Sequence, residues 1–235
     1  MHSARLISSI IASVVAAPAL AQHDGLPSDP VTDCAIIEAH GQMLEIFQLT
    51  PNCVINWDRF SIDFEHIVHF IQQQGSWRVL NRVTGAEFSR ISGSMTADGL
   101  VYIVNPAGIF FDGTAVVDVG GIYAAAGDLT DSNFMMGVDR FENLSGAVTN
   151  RGHLSGNLVH LVGEMVANHG TIDAAGGVAR WIGADVIVST SAGPLVRFKT
   201  CTKNARSKEI RRYPARDKSV RPDWMSRSEW VGEFI

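Results

Sequence analysis

No lysine precedes Lys199 in this 235-residue chain, although acidic residues run along the whole of that stretch. A lysine-free acidic body cannot neutralise a phosphate backbone, which needs clustered cations, so nucleic acid is excluded as its partner. Cysteine is scarce too: there are three, with no Cys-x-x-Cys spacing, which argues against a structural zinc site. His66 and His69, with Glu65 beside them, lack the His-Glu-x-x-His order, and residues three apart on a strand face opposite ways. No metal or other cofactor is expected. Past the N-terminus there is no apolar run long enough to cross a bilayer as a helix. What remains is a series of short apolar runs punctuated by glycine, long enough for one large β domain.

The N-terminus carries its own pattern. Arg5 precedes the apolar run Leu6–Ala17, and Ala19-Leu20-Ala21 has the small-x-small form that precedes signal-peptidase cleavage. The run is shorter than the ~20 residues a membrane span needs, so residues 1–21 read as a signal peptide. An exported protein is expected, opening on a polar, Pro-rich leader at 22–33. Export gives Cys34 and Cys53 two open readings: a disulfide, if their strands are neighbours, or two buried small apolar side chains. Cys201 would be left over in either case.

Ile91–Asp118 is the stretch around which the rest is organised. Two turn cores, Ala97-Asp98-Gly99 and Asn105-Pro106-Ala107-Gly108, bracket the run Leu100–Val104, whose β-branched and aromatic residues read as a strand. Pro106 pushes Asn105 toward an extended conformation, and Gly108 can take the positive φ that closes a tight turn. Ile109–Phe111 follows as a strand and Asp112-Gly113 turns it. The rhythm leaves no room for crossover helices. Upstream, Cys34–Glu38, Met43–Gln48, Val54–Trp57, His66–Ile71 and Trp77–Asn81 read as strands. Downstream, Ala115–Val119 and Ile122–Ala126 flank a turn at Gly120-Gly121. Strand signals fail only at Asp131–Phe141, where Asp131 or Ser132 would cap a single helical turn carrying Phe134 and Met135.

From Ala147 a repeat appears. Asn150-Arg-Gly152-His-Leu154 recurs as Asn168-His-Gly170-Thr-Ile172, and each copy precedes an apolar stretch ending at Gly163 or Gly183. One coil of short strands cannot bury its inward residues alone; coils stacked at the ~4.8 Å strand spacing make a continuous core. Asn and Gly are expected at the corners because corners need left-handed or strained dihedrals. This is the signature of a parallel β-helix.

These residues resemble the N-terminal secretion domain of filamentous-haemagglutinin-like exoproteins of two-partner secretion, particularly the high-molecular-weight adhesin branch. The resemblance covers roughly Ile37 to Val188. It is carried by Val54-Ile55-Asn56-Trp57 with Phe60-Ser61-Ile62, by Leu80-Asn81-Arg82-Val83-Thr84-Gly85, and by Ile91-Ser92-Gly93. Gly99 to Ile109 and Asp118-Val119-Gly120-Gly121 continue it. The resemblance implies an all-β, right-handed parallel β-helix with N-terminal capping strands, occupying residues 34–195. It implies a role in addressing an exoprotein to an outer-membrane transporter through that transporter's POTRA domains, with folding at the cell surface or outside the cell. For a full-length member it also implies host or cell-surface glycans as partners. Asn105, Pro106, Gly108 and Ile109, with Asn81 and Arg82, are the candidate secretion residues; the plainer reading is that they only shape turns. Asn56, Trp57, Phe60, Gly120 and Gly121 are candidate fold residues. Ala107 stands where the family usually has Asn, so the turn is expected to lack one hydrogen bond.

An enzyme is the competing class, because parallel β-helices host polysaccharide lyases and hydrolases. Their sites need clustered carboxylates or an Arg or Lys base. Here Asp98, Asp112 and Asp128 sit scattered at turns, and Gly152–Val188 carries one basic residue, Arg180. No enzyme is expected; the alternative kept open is a self-contained exported β-helix that binds or acts on polysaccharide. Asn143-Leu144-Ser145 is a glycosylation sequon, a weak signal by itself. Residues 196–235 reverse the charge sign and lose strand periodicity. They read either as a basic disordered tail for an anionic surface, or as the out-of-frame end of a longer exoprotein cut short.

Overall fold

The computed structural model describes residues 25–176 and, beyond them, the backbone of four strands at 178–182, 185–189, 195–199 and 209–211. The expected signal peptide, Cys201 and most of the basic tail lie outside the described residues. A strand at Leu195–Lys199 straddles the boundary drawn at residue 195.

The chain winds through stacked coils. β1 (Ala35–His40), β2 (Met43–Gln48) and β3 (Asn52–Trp57) open it, followed by β4 (Ile67–Ile71), β5 (Arg78–Val83) and β6 (Ser89–Ile91). β7 (Ser94–Val104) and β8 (Ile109–Phe111) make the third coil. β9 (Val116–Ala125) begins the fourth, which is interrupted by α1 (Asp131–Met135) and β10 (Asp139–Phe141) and completed by β11 (Ala147–Asn150). β12 (His153–Gly156), β13 (Leu158–Gly163) and β14 (Met165–Asn168) form the fifth. β15 (Thr171–Ala174) and β16 (Val178–Ile182) start the sixth. β17 (Asp185–Ser189), β18 (Leu195–Lys199) and β19 (Glu209–Arg211) pair antiparallel with one another, and β17 with β10.

Three parallel faces result. The first stacks β2, β4, the start of β7, the start of β9, β12 and β15. The second stacks β3, β5, the end of β7, the end of β9, β13 and β16. The third stacks β6, β8, β11 and β14, with Ile62 bridging to Ile91 beneath them. Along β3 every second residue (Cys53, Ile55, Trp57) is buried, and β5 adds Val79, Asn81 and Val83 to the same interior. Period-2 alternation sends these side chains into one continuous core running the length of the coils. β1 pairs antiparallel with β2 and lays Ala35, Ile37 and Ala39 against the first coil as a cap.

Two expected turns are corners within single strands. β7 runs from Ser94 to Val104 with only a register shift between Ala97 and Leu100, and β9 runs through Gly120-Gly121. The expectation that corner glycines serve strained dihedrals also gives way. Gly152 and Gly170 do not have positive φ. Instead, a Cβ on Gly152 would lie 2.5 Å from the Ala115 carbonyl oxygen, and one on Gly170 would lie 2.1 Å from that of Gly152. Glycine recurs there because each coil presses its backbone against the one before.

The helical turn lies where the sequence placed it, but its N-cap is Thr130, accepting from the Asn133 N–H at 3.2 Å, and not Asp131 or Ser132, which form the first helical turn itself. Phe134 is buried and Met135 faces out.

Candidate functional site

The candidate secretion residues cluster around the second face but occupy three different environments. Asn81 points into the coil. Its side-chain oxygen accepts the Trp57 indole N–H at 3.0 Å, and its Nδ2 donates to the Tyr102 carbonyl at 3.2 Å. Trp57 in turn meets Phe60 edge-on, with ring centroids 5.5 Å apart.

Asn105 sits wholly buried at the corner between the second and third faces. Its Nδ2 donates to the Glu87 carbonyl at 2.9 Å and the Ser89 hydroxyl at 3.0 Å, tying the corner to the coil below. Its Oδ1 accepts the Ala107 N–H at 2.9 Å, while its backbone carbonyl accepts the Gly108 N–H at 3.0 Å. The turn therefore closes on Asn105 alone; Ala107 is exposed, so the hydrogen bond expected to be missing is not one the turn depends on. Pro106 offers its carbonyl to the Ser145 hydroxyl at 3.2 Å. Gly108 has φ +111°, and a Cβ there would lie 2.9 Å from the Ala147 carbonyl oxygen. Ile109 enters the core.

Arg82 is on the outside of the second face, beneath the segment that interrupts the fourth coil. It donates to the Asn56 side-chain oxygen at 3.0 Å and the Leu129 carbonyl at 2.7 Å, and pairs with Asp131 at the start of α1. An open cleft of about 340 Å³ lies beside it, lined by Asp128, Leu129, Thr130, Asp131, Glu142 and Asn143. Asn143, the sequon residue, donates to the Asp128 carboxylate at 2.9 Å.

A second arginine was not singled out from sequence. Arg78, two outward positions before Arg82 on β5, donates to the Phe134 carbonyl at 3.0 Å and to the Asp139 carboxylate at 2.8 Å. The Tyr102 hydroxyl donates to the same Asp139 oxygen at 3.0 Å. Burial raises the Asp139 carboxyl above the ordinary carboxylate range, against the pull of Arg78. Burial likewise raises the Tyr102 and Tyr123 hydroxyls, so both remain protonated donors. Tyr102 stacks on Tyr123 at 4.3 Å and Tyr123 on His160 at 4.5 Å, an outer ladder one residue per coil. With Leu80, Leu129, Phe134 and Phe141 it forms a second apolar cluster under the inserted segment. The legible signal was the outward alternation Arg78-Leu80-Arg82, three side chains on one side of one strand.

Glutamines were missed as well. Gln72 donates to Gln48 at 2.8 Å and accepts the Gly99 N–H at 2.7 Å, linking three successive coils at one corner. Gly120 continues that corner: a Cβ there would lie 2.2 Å from the Asp98 carbonyl oxygen, and one on Gly121 would lie 2.6 Å from the Leu100 side chain.

At the N-terminal end, Cys34 and Cys53 form a disulfide with Cα atoms 5.4 Å apart. Among the described residues no group of His, Cys, Asp and Glu is placed to hold a metal ion. Asp98, Asp112 and Asp128 lie at separate corners, and Asp112 is engaged by Arg90 and Ser92.

Sequence and structure similarity agree with this architecture. The heme/hemopexin-binding protein of Haemophilus influenzae strain Rd is 32% identical over 187 residues, covering 74% of this chain and 21% of the relative. A second heme/hemopexin-binding protein of that species is 30% identical over 132 residues, 55% of this chain and 14% of the relative. The chain thus spans about a fifth or less of the curated relatives it matches. The crystal structure of the HMW1 secretion domain from Haemophilus influenzae superimposes with a TM-score of 0.69 at 26% identity, over 76% of this chain and 50% of that one. None of these likenesses supports a self-contained β-helix acting on polysaccharide. The family model of the TPS secretion domain matches residues 23–209, well over half of the chain, and the chain belongs to the two-partner secretion (TPS) secretion domain family.

Proposed function

We propose that this domain addresses its exoprotein to an outer-membrane transporter of two-partner secretion, through the transporter's periplasmic POTRA domains, and folds once outside. Residues 1–21 would deliver it to the periplasm as a signal peptide, and the cell surface or medium would be its destination. It acts as an address, not as an enzyme. In an intact exoprotein, binding to host or cell-surface glycans would belong to parts beyond this domain.

The observation that carries this reading is the family match over residues 23–209, together with a core that depends on coil-to-coil pairing. Each coil presents a complete edge to the next, so folding can advance coil by coil as the chain emerges. Stacked coils outside cannot return without unpairing first, which opposes back-sliding.

Asn81 and Asn105 are wholly buried, so neither can touch a receptor while the domain is folded. We assign them to closing the coils, and thereby to secretion through folding. The test is to co-express the full chain with a two-partner-secretion outer-membrane transporter and assay the medium, with a transporter-free strain as control. Transporter-dependent release of the wild type, reduced in Asn105→Ala, supports the reading. Folded protein that accumulates in the periplasm whether or not the transporter is present overturns it.

A further inference from the structure

We propose that the outer edge of β1 is the docking strand for the secretion partner, presented by a hairpin that the Cys34–Cys53 disulfide closes before the β-helix forms. This inference rests on the reading above.

Four observations carry it. First, the Leu49 N–H donates to the Cys34 carbonyl at 2.9 Å, which sets the phase of the β1–β2 ladder. In the register Ile36↔Phe47, Glu38↔Glu45 and His40↔Met43, those pairs exchange hydrogen bonds. The N–H and C=O groups of Ala35, Ile37 and Ala39 therefore point to the opposite edge. Among the described residues nothing pairs with that edge.

Second, the fold covers the comparable edge of β3. Val31 and Asn56 exchange backbone hydrogen bonds at 2.8 and 3.0 Å, and the Ser28 N–H donates to the Arg59 carbonyl at 2.9 Å. β1 has no such cover. It also lacks the proline, lysine or bulge by which proteins blunt an open edge.

Third, the hairpin is local. Its disulfide spans 19 residues, and Thr32 fixes the start of β1 by donating to the Val54 carbonyl at 2.9 Å. An isolated two-stranded hairpin is marginal in water, and a covalent tie between its base and β3 constrains the unfolded alternatives. In an oxidising compartment this element can persist while the parallel coils, which need distant partners, are still unformed.

Fourth, the edge has a charge preference. Glu38 and Glu45 face each other across the ladder, bridged among the described residues by His40 at 3.5 and 3.7 Å. A strand added beside β1 places an outward side chain next to Glu38. The partner is therefore a protein with an exposed β-strand edge bearing Lys or Arg, which adds to the sheet by main-chain pairing.

Two substitutions test this in the full chain, co-expressed with the same two-partner-secretion transporter. Ala39→Pro deletes a donor on the open edge only, where proline is tolerated, and leaves the β1–β2 bonds in place. Glu38→Lys reverses the charge and removes the Glu38–Glu45 repulsion. Both are expected to cut release at least tenfold while the denaturation midpoint of the purified chain does not fall below that of wild type. If Ala39→Pro fails to fold, Glu38→Lys decides alone. Release of the folded variants at the wild-type level overturns the docking edge and leaves the addressing role standing. Failure of the wild type itself to depend on the transporter overturns both.

Discussion

The Trp57 indole N–H donates to the Asn81 side-chain oxygen at 3.0 Å inside the coil, and both side chains are wholly buried. An indole donor has one partner to find, and no water reaches this one. Asn81→Leu fills similar volume but strands the donor, at a cost of about 1–3 kcal/mol. Urea denaturation of the purified chain measures this. Adding Trp57→Phe to Asn81→Leu should recover part of the loss; no difference between Asn81→Leu and wild type would refute the bond's importance.

Gly108 and Ala107 are neighbours with opposite tolerance. Gly108→Ala places a Cβ at positive φ and against the Ala147 carbonyl, and should cost about 1–3 kcal/mol. Ala107→Asn, at an exposed position, should change stability by no more than ~0.5 kcal/mol. Equal effects in the same denaturation assay would mean that the turn is not held as described.

Much of the fold was legible because stacking imposes one rule on every coil. The offset of 18 residues between Asn150 and Asn168 survives as a direct side-chain hydrogen bond of 2.8 Å. The rhythm failed at Asp98-Gly99 and Gly120-Gly121, where Gly and Asp read as chain reversals. In the coil these glycines admit the neighbouring backbone without interrupting the strand, a requirement set by the adjacent coil and invisible in local sequence. Arg78 was missed for a related reason. Its partner Asp139 lies 61 residues away, in a segment with no strand signal of its own.

That distant pair holds the inserted segment down. Arg78 and Asp139 are both largely buried, and removing one leaves the other uncompensated. Arg78→Met should cost about 3–5 kcal/mol, on the scale of other broken buried pairs. It should also open residues 127–146 to limited proteolysis. Arg82→Ala should do less, since Asp131 is well exposed. Cleavage patterns that are the same in Arg78→Met and wild type would show that the apolar cluster suffices.

Two carboxyls should give stability opposite dependences on pH. Asp112 is held below its ordinary range, first by the Arg90 hydrogen bond and then by the Gly113 N–H. Its contribution is present above the unfolded value, near 3.9, and is lost as pH falls through the lower folded value. Asp139 is raised by burial, so the folded state takes up its proton more readily than the unfolded chain. Its contribution is complete below about 3.9 and is lost as pH rises through the folded value. Unfolding measured across the acid range should therefore lose its low-pH fall in Asp112→Asn and its mid-acid decline in Asp139→Asn. Parallel curves for wild type and either variant would contradict the corresponding assignment.

The Cys34–Cys53 tie should matter locally before it matters globally. It closes a loop of about the length for which cross-linking contributes ~3 kcal/mol, and that loop contains the whole β1–β2 hairpin. Replacing both cysteines by alanine keeps two small apolar side chains in the space the disulfide occupied. The coils from β4 onward are also held by pairing with one another, so that pairing should persist. Amide hydrogen exchange separates the two effects. In the double variant the amides of Ile36, Glu38 and His40, bonded to β2, should exchange faster. Those of Val117 and Leu154, deep in the coil stack, should exchange as in wild type. Uniform acceleration along the chain would instead mean that the cap and the coils unfold as one unit, and that the hairpin cannot stand ahead of the β-helix.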